Sequence, residues 1–342
     1  MDDKESGANL PRRALLASAA ALPLVAVLSR RGDAAEFAYK FATGQDPSHP
    51  VNIRAGEALA RIRDASGGRL DMKLFPANQL GSDTDLISQV RNGGVEFLNI
   101  ATSILNTLVA AVGIVNIGFA FPDYDAVWRA ADGELGQYVA GQIAKAGLVS
   151  VTPLWNNGFR QVTSSTRDIL TPADLKGFKI RVPPAPILTS LFQALGASPT
   201  PINFNELYSA LQTKVVEGQE NPLAIIATTK LYEVQKSLST TGHVWDGYQI
   251  VGNRRAWEKL PPDLKEIVQR ELARSGQDQR ADIARLSVSL REDLAAKGMA
   301  FHDVDHAPFR EALRGSSYYK DWQAKFGEQP WAMLEKTSGR LA

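Results

Sequence analysis

The chain has 342 residues, 44% of them hydrophobic and 22% charged, with 38 Lys plus Arg against 37 Asp plus Glu. At roughly 100–200 residues per domain, this length predicts two domains whose cores need no covalent staples. The absence of cysteine excludes disulfide scaffolds, thiolate zinc sites and a cysteine nucleophile, and a net charge of +1 offers no general field for nucleic acid or an anionic membrane.

Residues 1–35 read as a secretion signal. Arg12-Arg13 precede an apolar run, Ala14 to Leu28, broken only by Ser18 and Pro23. A membrane span needs about 20 apolar residues, so the shorter run suits a signal-peptide core; an uncleaved anchor is the competing reading. Gly32-Asp33-Ala34 place small residues before an expected cut after Ala34 or Ala35. The paired arginines resemble a twin-arginine export signal, whereas Pro11 and Arg30-Arg31 fit one poorly, so both export routes stand open. Either route places the mature chain in the periplasm. Removing this segment leaves 33 basic and 33 acidic residues.

From Phe37 onward, short β-rich runs alternate with helical ones, the pattern of an α/β protein. Strands are predicted over 37–42, 70–75, 95–101, 148–154, 159–163, 179–182 and 249–252. A helix over 51–65, with Ile53, Leu59 and Ile62 at helical spacing, stops at Ser66-Gly67-Gly68. A second over 83–91 stops at Asn92-Gly93-Gly94. Asn203 and Glu206 have the spacing of a capping box for a helix reaching about Lys214. Asn221 stands where it would cap a helix with Pro222 at its first position. Pro261-Pro262 open a run to Lys297 with one apolar face and Gly298 just beyond it. Thirty-odd helical residues extend roughly 50 Å, longer than a small domain, so this helix is expected to run behind two lobes.

Catalysis finds little in this inventory. His302 and His306 have a metal-helix spacing but lack the glutamate that zinc hydrolases place after the first histidine, and a solvated turn is the better reading. No G-x-S-x-G, Walker or G-x-G-x-x-G motif occurs. No cofactor is expected. Anion capture is better supported. Arg181 ends an alternating strand, Phe178 to Val182, that Pro183-Pro184 stiffen, and its planar fork of donors suits a carboxylate. The competing reading for Arg181 is a partner for an internal acid. Asn221 beside a helix N-terminus could likewise offer its amide to an anion.

The run from Gly196 through Pro199, Asn203, Phe204, Asn205, Glu206 and Gln212 to Glu220-Asn221-Pro222 resembles the extracytoplasmic solute-binding proteins of TRAP (tripartite ATP-independent periplasmic) transporters. So do the segments 76–83, Asn157 to Arg160, 171–177, Arg181 to Pro183, 232–235 and Thr241 to His243; the likeness covers Phe37 to about Trp331. It implies a two-lobed, type II-like periplasmic binding protein that closes on an organic acid and hands it to a membrane permease. Arg181 matches the family's carboxylate-binding arginine, Arg160 a second arginine that assists, Asn221 an amide on the same carboxylate, Phe204 an apolar wall and His243 a polar residue near the cleft. Trp245 is expected to cover the ligand, and Trp155 and His49 complete the ligand-binding set.

Interleaved lobes are expected, with 36–158 and 248–286 forming lobe I and 159–247 and 287–342 lobe II. Crossings fall near Asn157, Tyr248 and Leu286. Sialic-acid-binding members carry a glutamate where this chain has Ile100 to Ser103, which argues against that ligand, and Glu217 replaces a common aspartate in a solvated turn. Thr102, Ser103 and Asn106, with His49, are candidates to read sugar hydroxyls; helix capping is their alternative role. A sugar acid such as a uronate or aldonate is expected ahead of a C4-dicarboxylate, bound by a monomer. The alternatives are a ligand sensor for a membrane kinase and a periplasmic isomerase or lyase of sugar acids.

Overall fold

The computed structural model describes residues 35–341, so the expected secretion signal lies outside the described residues. Two six-stranded sheets organise the chain. In the first, β1 (Phe37–Thr43) lies between β2 (Leu70–Phe75) and β3 (Phe97–Ala101), all parallel. β11 (Trp245–Asn253) joins β3 antiparallel, and β4 (Leu148–Ser150) and β5 (Trp155–Phe159) pair antiparallel with β11. The second sheet runs β12 (Ala300–His302), β10 (Ser237–Ser239), β6 (Gln161–Ser164), β9 (Gly218–Asn221), β7 (Lys179–Val182) and β8 (Ser198–Pro201). This is the two-lobed α/β binding-protein fold that the sequence predicts.

The chain passes from the first sheet to the second at Arg160, which alone separates β5 from β6. It returns between Ser239 and Trp245, so β11 begins at Trp245 rather than near Tyr248. The expected strand 148–154 stops at Ser150, and Pro153, which has no N–H to give a ladder, lies in the break before β5. The expected strand 159–163 is divided at Arg160 between two sheets. β8 escaped prediction because Pro199 and Pro201 argue against a strand; it lies at a sheet edge, where proline is tolerated.

Helix α1 (Pro50–Ala65) is capped by His49, and α2 (Asp83–Asn92) by a Ser82–Asp85 capping box, with left-handed Gly93 at its end. The capping box expected at Asn203 does not form: a short 3₁₀ turn (Phe204–Glu206) leads into helix Leu207–Gln212 with no side-chain cap. Nor does Asn221 cap anything, because the following helix starts at Leu223 with Pro222 as its cap residue.

The long helix spans Pro262–Ala296, 35 residues and roughly 52 Å. Leu264, Val268 and Leu272 enter the large core beneath the first sheet, while Leu294 enters a smaller core with Leu207, Leu211 and Ile226. Arg54–Asp282 (2.7 Å) and Arg61–Glu271 (2.8 Å) fasten the helix to α1. Gln279 fastens it to β5: its Oε1 accepts the Asn156 N–H at 2.9 Å and its Nε2 donates to the Asn156 carbonyl at 2.7 Å. The C-terminal segment is shared in its packing. Helices Ala307–Arg314 and Tyr318–Phe326 pack on helix Pro186–Ala194, whereas Glu328–Ser338 packs on Tyr124–Ala131 and Glu134–Lys145.

Gly276 of the long helix lies under the Trp155 indole, where a Cβ would stand 2.6 Å from Nε1. Gly276→Leu should therefore force the helix off β5 and cost about 1–3 kcal/mol, against the gain in helix propensity. Urea unfolding that finds no loss would show the contact to be slack.

Candidate functional site

The crossing between sheets is also where the buried charges gather. The Arg160 N–H donates to the Val244 carbonyl at 2.8 Å, which bonds the two crossing segments to each other. Its guanidinium, 2% exposed, is divided between acids from different sheets. Nε donates to Glu220 Oε2 at 2.5 Å and Nη2 to Glu220 Oε1 at 2.8 Å, while Nη1 donates to Asp246 Oδ2 at 3.0 Å. Nη2 also reaches Asn221 Oδ1 at 3.0 Å. Glu220 belongs to β9 and Asp246 to β11, so one cation ties the second sheet to the first.

Asp246 draws in the groups proposed as hydroxyl readers. Thr102 Oγ1 donates to its Oδ1 at 2.8 Å and Ser103 Oγ to its Oδ2 at 2.8 Å; Asn116 Nδ2 adds a third bond at 3.0 Å. Asn106 donates instead to the Ala110 carbonyl. The Thr102 and Ser103 hydroxyls therefore serve the buried carboxylate, and Asn106 is the C-cap of the short helix Thr102–Leu105, its side chain bonding a local turn. His243 completes the network, with Nε2 3.0 Å from Glu220 Oε2 and Nδ1 2.8 Å from Thr241 Oγ1. Burial pulls the Arg160 pKa down, but Glu220 and then Asp246 more than restore it, leaving it raised. Burial raises Glu220, yet Arg160 and His243 bring it below the usual glutamate value. Burial holds His243 below the ordinary histidine value in spite of Glu220.

Arg181 is different in kind. It sits on β7 between Thr200 of β8 and Gln219 of β9, 1% exposed, and both Nε (2.9 Å) and Nη2 (2.6 Å) donate to the Ile202 carbonyl. Among the described residues no carboxylate lies within 4.0 Å of it, and Nη1 has no protein acceptor. Burial lowers its pKa to about 10, with the Glu220 charge opposing; it remains a cation at neutral pH. A buried cation without an anion is costly, and such sites are completed by a ligand of opposite charge.

Groups on the first sheet and its loops are also incomplete. Gln45 Oε1, His49 Nε2, Asn78 Oδ1, both amide atoms of Asn99, Trp155 Nε1 and the Tyr248 hydroxyl are buried without a protein partner. Each such group costs about 1–3 kcal/mol unless something satisfies it. The His49 tautomer is fixed: Nδ1 accepts the Val51 N–H at 3.2 Å to cap α1, so Nε2 carries the hydrogen. Burial lowers the His49 pKa to about 3, with Asp46 opposing weakly, so the ring is a neutral donor. It meets Tyr248 edge to face at 6.1 Å.

Of the sequence-predicted site residues, Arg160, Arg181, Asn221 and His243 gather around Glu220, His49 meets the Tyr248 ring, and Trp155 is the cross-strand partner of Tyr248. Half-buried Phe204 lines a cavity of about 430 Å³ with Gly44 and Asn78. Trp245 does not join them. Its indole packs against Trp128 (5.5 Å) and Phe121 (6.2 Å) and its N–H is spent on Asn156, which makes it a core residue and not a cover. Sequence reasoning assigned no role to Glu220, Asp246, Asp83 or Tyr248. Glu220 and Asp83 lay inside motifs already singled out, but nothing in their spacing announced burial.

The model of bacterial extracellular solute-binding protein family 7 matches residues 41–325. Solute-binding protein RD1_1052 of Roseobacter denitrificans is 33% identical over 273 residues, covering 80% of this chain and 82% of that protein. The crystal structure of RD1_1052 with bound L-galactonate matches at TM-score 0.81 and 29% identity, covering 89% of this chain and 99% of that one. A TRAP periplasmic solute-binding protein of Sulfurospirillum deleyianum with bound succinate matches at TM-score 0.83 and 27% identity, covering 89% and 99%.

Two outcomes follow from this geometry. Arg160→Met would leave Glu220 and Asp246 buried without their cation and should cost about 3–5 kcal/mol in urea unfolding; a loss below 1 kcal/mol would remove Arg160 as the tie between sheets. His49 takes its proton near pH 6.5 when unfolded and near 3 when folded. Above 6.5 both forms are neutral and the group is without effect. As pH falls from 6.5 the unfolded chain protonates first, and stability drops by as much as roughly 5 kcal/mol. His49→Asn keeps a capping acceptor and should flatten that loss between pH 6.5 and 4; urea midpoints that fall in parallel with the unsubstituted protein would contradict it.

Proposed function

Since the chain belongs to bacterial extracellular solute-binding protein family 7, the solute-binding proteins of TRAP transporters, we propose that it captures a sugar acid, ahead of a C4-dicarboxylate, and delivers it to a membrane permease. The family is periplasmic, binds small acids and consists of transport proteins rather than enzymes. No helix among the described residues is long and apolar enough to cross a membrane. One observation carries the reading: Arg181 is a buried cation that the protein itself leaves unpaired, with Nη1 free to take a carboxylate oxygen. Asn221 adds little of its own, because its Nδ2 donates to Gln219 Oε1 at 2.5 Å while its oxygen serves Arg160.

The mechanism is differential stabilisation of a closed form. Two lobes, built on the two sheets, would turn about Arg160, the 240–244 return and the long helix. A ligand carboxylate on Arg181 neutralises a charge that closure buries, and ligand oxygens reaching the first sheet satisfy groups such as His49 Nε2 and Tyr248 OH. Each contact made only when the lobes are together shifts the equilibrium toward closure by its own free energy. No covalent step is involved. The ligands bound to the R. denitrificans and S. deleyianum proteins, L-galactonate and succinate, are both small carboxylates.

Arg181→Ala should weaken binding of galactonate at least roughly 100-fold by calorimetry. Its melting temperature should hold or rise, because a buried uncompensated charge is removed, in contrast to Arg160→Met. Unchanged affinity would overturn the assignment.

A further inference from the structure

Phe119 is held with φ at +53°, in the left-handed region. A bulky residue has no conformational reason to be there, and such strain marks places where the surrounding structure gains something in return. Two contacts show what it secures. The Phe119 N–H donates to the His243 carbonyl at 2.7 Å and so grips the return between the sheets, while the ring is set against His306 at 6.0 Å and Phe309 at 6.3 Å. Phe119 also forms part of the wall of a cavity of about 440 Å³, an ordinary size for a small-molecule site.

Both sides of the crossing supply this cavity. Phe119, Phe121 and Pro122 lie in the chain between β3 and β4, and Phe159 ends β5; Thr240 and Gly242 belong to the return, and His306 and Arg310 follow β12. Three phenylalanines and a proline give it flat apolar walls. Its neutral polar groups are largely spent: His306 Nε2 donates to the Thr240 carbonyl at 2.9 Å, and Gln161 accepts the Gly242 N–H at 2.9 Å while donating to the Phe159 carbonyl at 3.2 Å. Arg310 is the exception. It is half-buried, no acid lines the cavity, and among the described residues its guanidinium makes no hydrogen bond or ion pair.

We propose that this cavity is a second ligand site, separate from the groups around Arg181, and that it takes a small aromatic carboxylate, the ring against the phenylalanines and the acid on Arg310. A sugar acid suits it badly, because its hydroxyls would meet phenylalanine rings and side chains whose bonds are already made. An aromatic ring gains from those walls, and a guanidinium offers a carboxylate two parallel donors. An occupant touching both sides of the crossing also bears on the first site. Arg181 is buried in the arrangement described, so a molecule that fits the second cavity favours that arrangement over one with the sheets turned apart, and by reciprocity each ligand tightens the other. This coupling rests on the organic-acid reading above; the second site does not.

The test is calorimetry with phenylacetate, phenylacetamide and galactonate. Phenylacetate should bind saturably to the unsubstituted protein, and phenylacetamide, of the same shape without the charge, at least roughly tenfold more weakly. Arg310→Gln removes a cation that has no protein partner, so its melting temperature should hold; it should weaken phenylacetate at least roughly tenfold and leave galactonate binding unchanged. Arg181→Ala should do the reverse. Saturating phenylacetate should tighten galactonate several-fold. No saturable binding of phenylacetate, phenylacetamide bound as tightly, or phenylacetate binding lost in Arg181→Ala and kept in Arg310→Gln would overturn the second site. A galactonate affinity unmoved by phenylacetate would overturn the coupling. Failure of galactonate alone to bind would overturn the organic-acid reading, while phenylacetate binding that depends on Arg310 would still establish the second site.

Discussion

The division of the Arg160 guanidinium between Glu220 and Asp246 is the constraint on which the arrangement of this protein rests. Two sheets built from interleaved stretches of chain share no strand, and of the three covalent connections between them two are short and irregular and the third is the long helix. A buried cation shared by an acid of β9 and an acid of β11 gives the crossing a specific geometry, because each carboxylate would be stranded without it. His243 and the donors around Asp246 complete the bonding, so little of the network's capacity is left for a ligand.

That internal satisfaction is what makes Arg181 informative by contrast. The two arginines are equally buried and lie near enough for Glu220 to act on both, yet only one is provided with anions by the fold. On the proposed reading, keeping one guanidinium unpaired beside another that is fully paired separates two tasks, holding the sheets together and recognising an acid. The amides of Gln45, Asn78 and Asn99, the His49 imidazole and the Tyr248 phenol are likewise left with buried atoms that have no protein partner.

Much of the fold was legible in the sequence, for local reasons. β1 is a β-rich run and β2 alternates apolar and polar residues, α1 and α2 end at glycines, and the long helix has proline at its start and glycine past its end. What was not legible depended on tertiary context. Arg160 reads as the middle of a strand until it is seen to separate two sheets. Asn203 and Glu206 have capping spacing, but the chain takes a 3₁₀ turn there and Asn203 lies by Thr84 instead. Trp245 follows a ligand-like motif, yet the aromatic residues that enclose it, Phe121 and Trp128, come from a stretch of chain more than 100 residues earlier. Thr102 and Ser103 look like sugar readers because the acid they serve is 144 and 143 residues away.

The bond pair between Gln279 and the backbone of Asn156 has a further meaning for the margin of the first sheet. β5 is hydrogen-bonded to β11 on one side, and its other side would present a donor and an acceptor that any extended chain could use. The primary amide of Gln279 has the same donor–acceptor geometry as a peptide group and occupies that place as a passing strand would. One side chain of a helix thus closes a sheet margin against self-association.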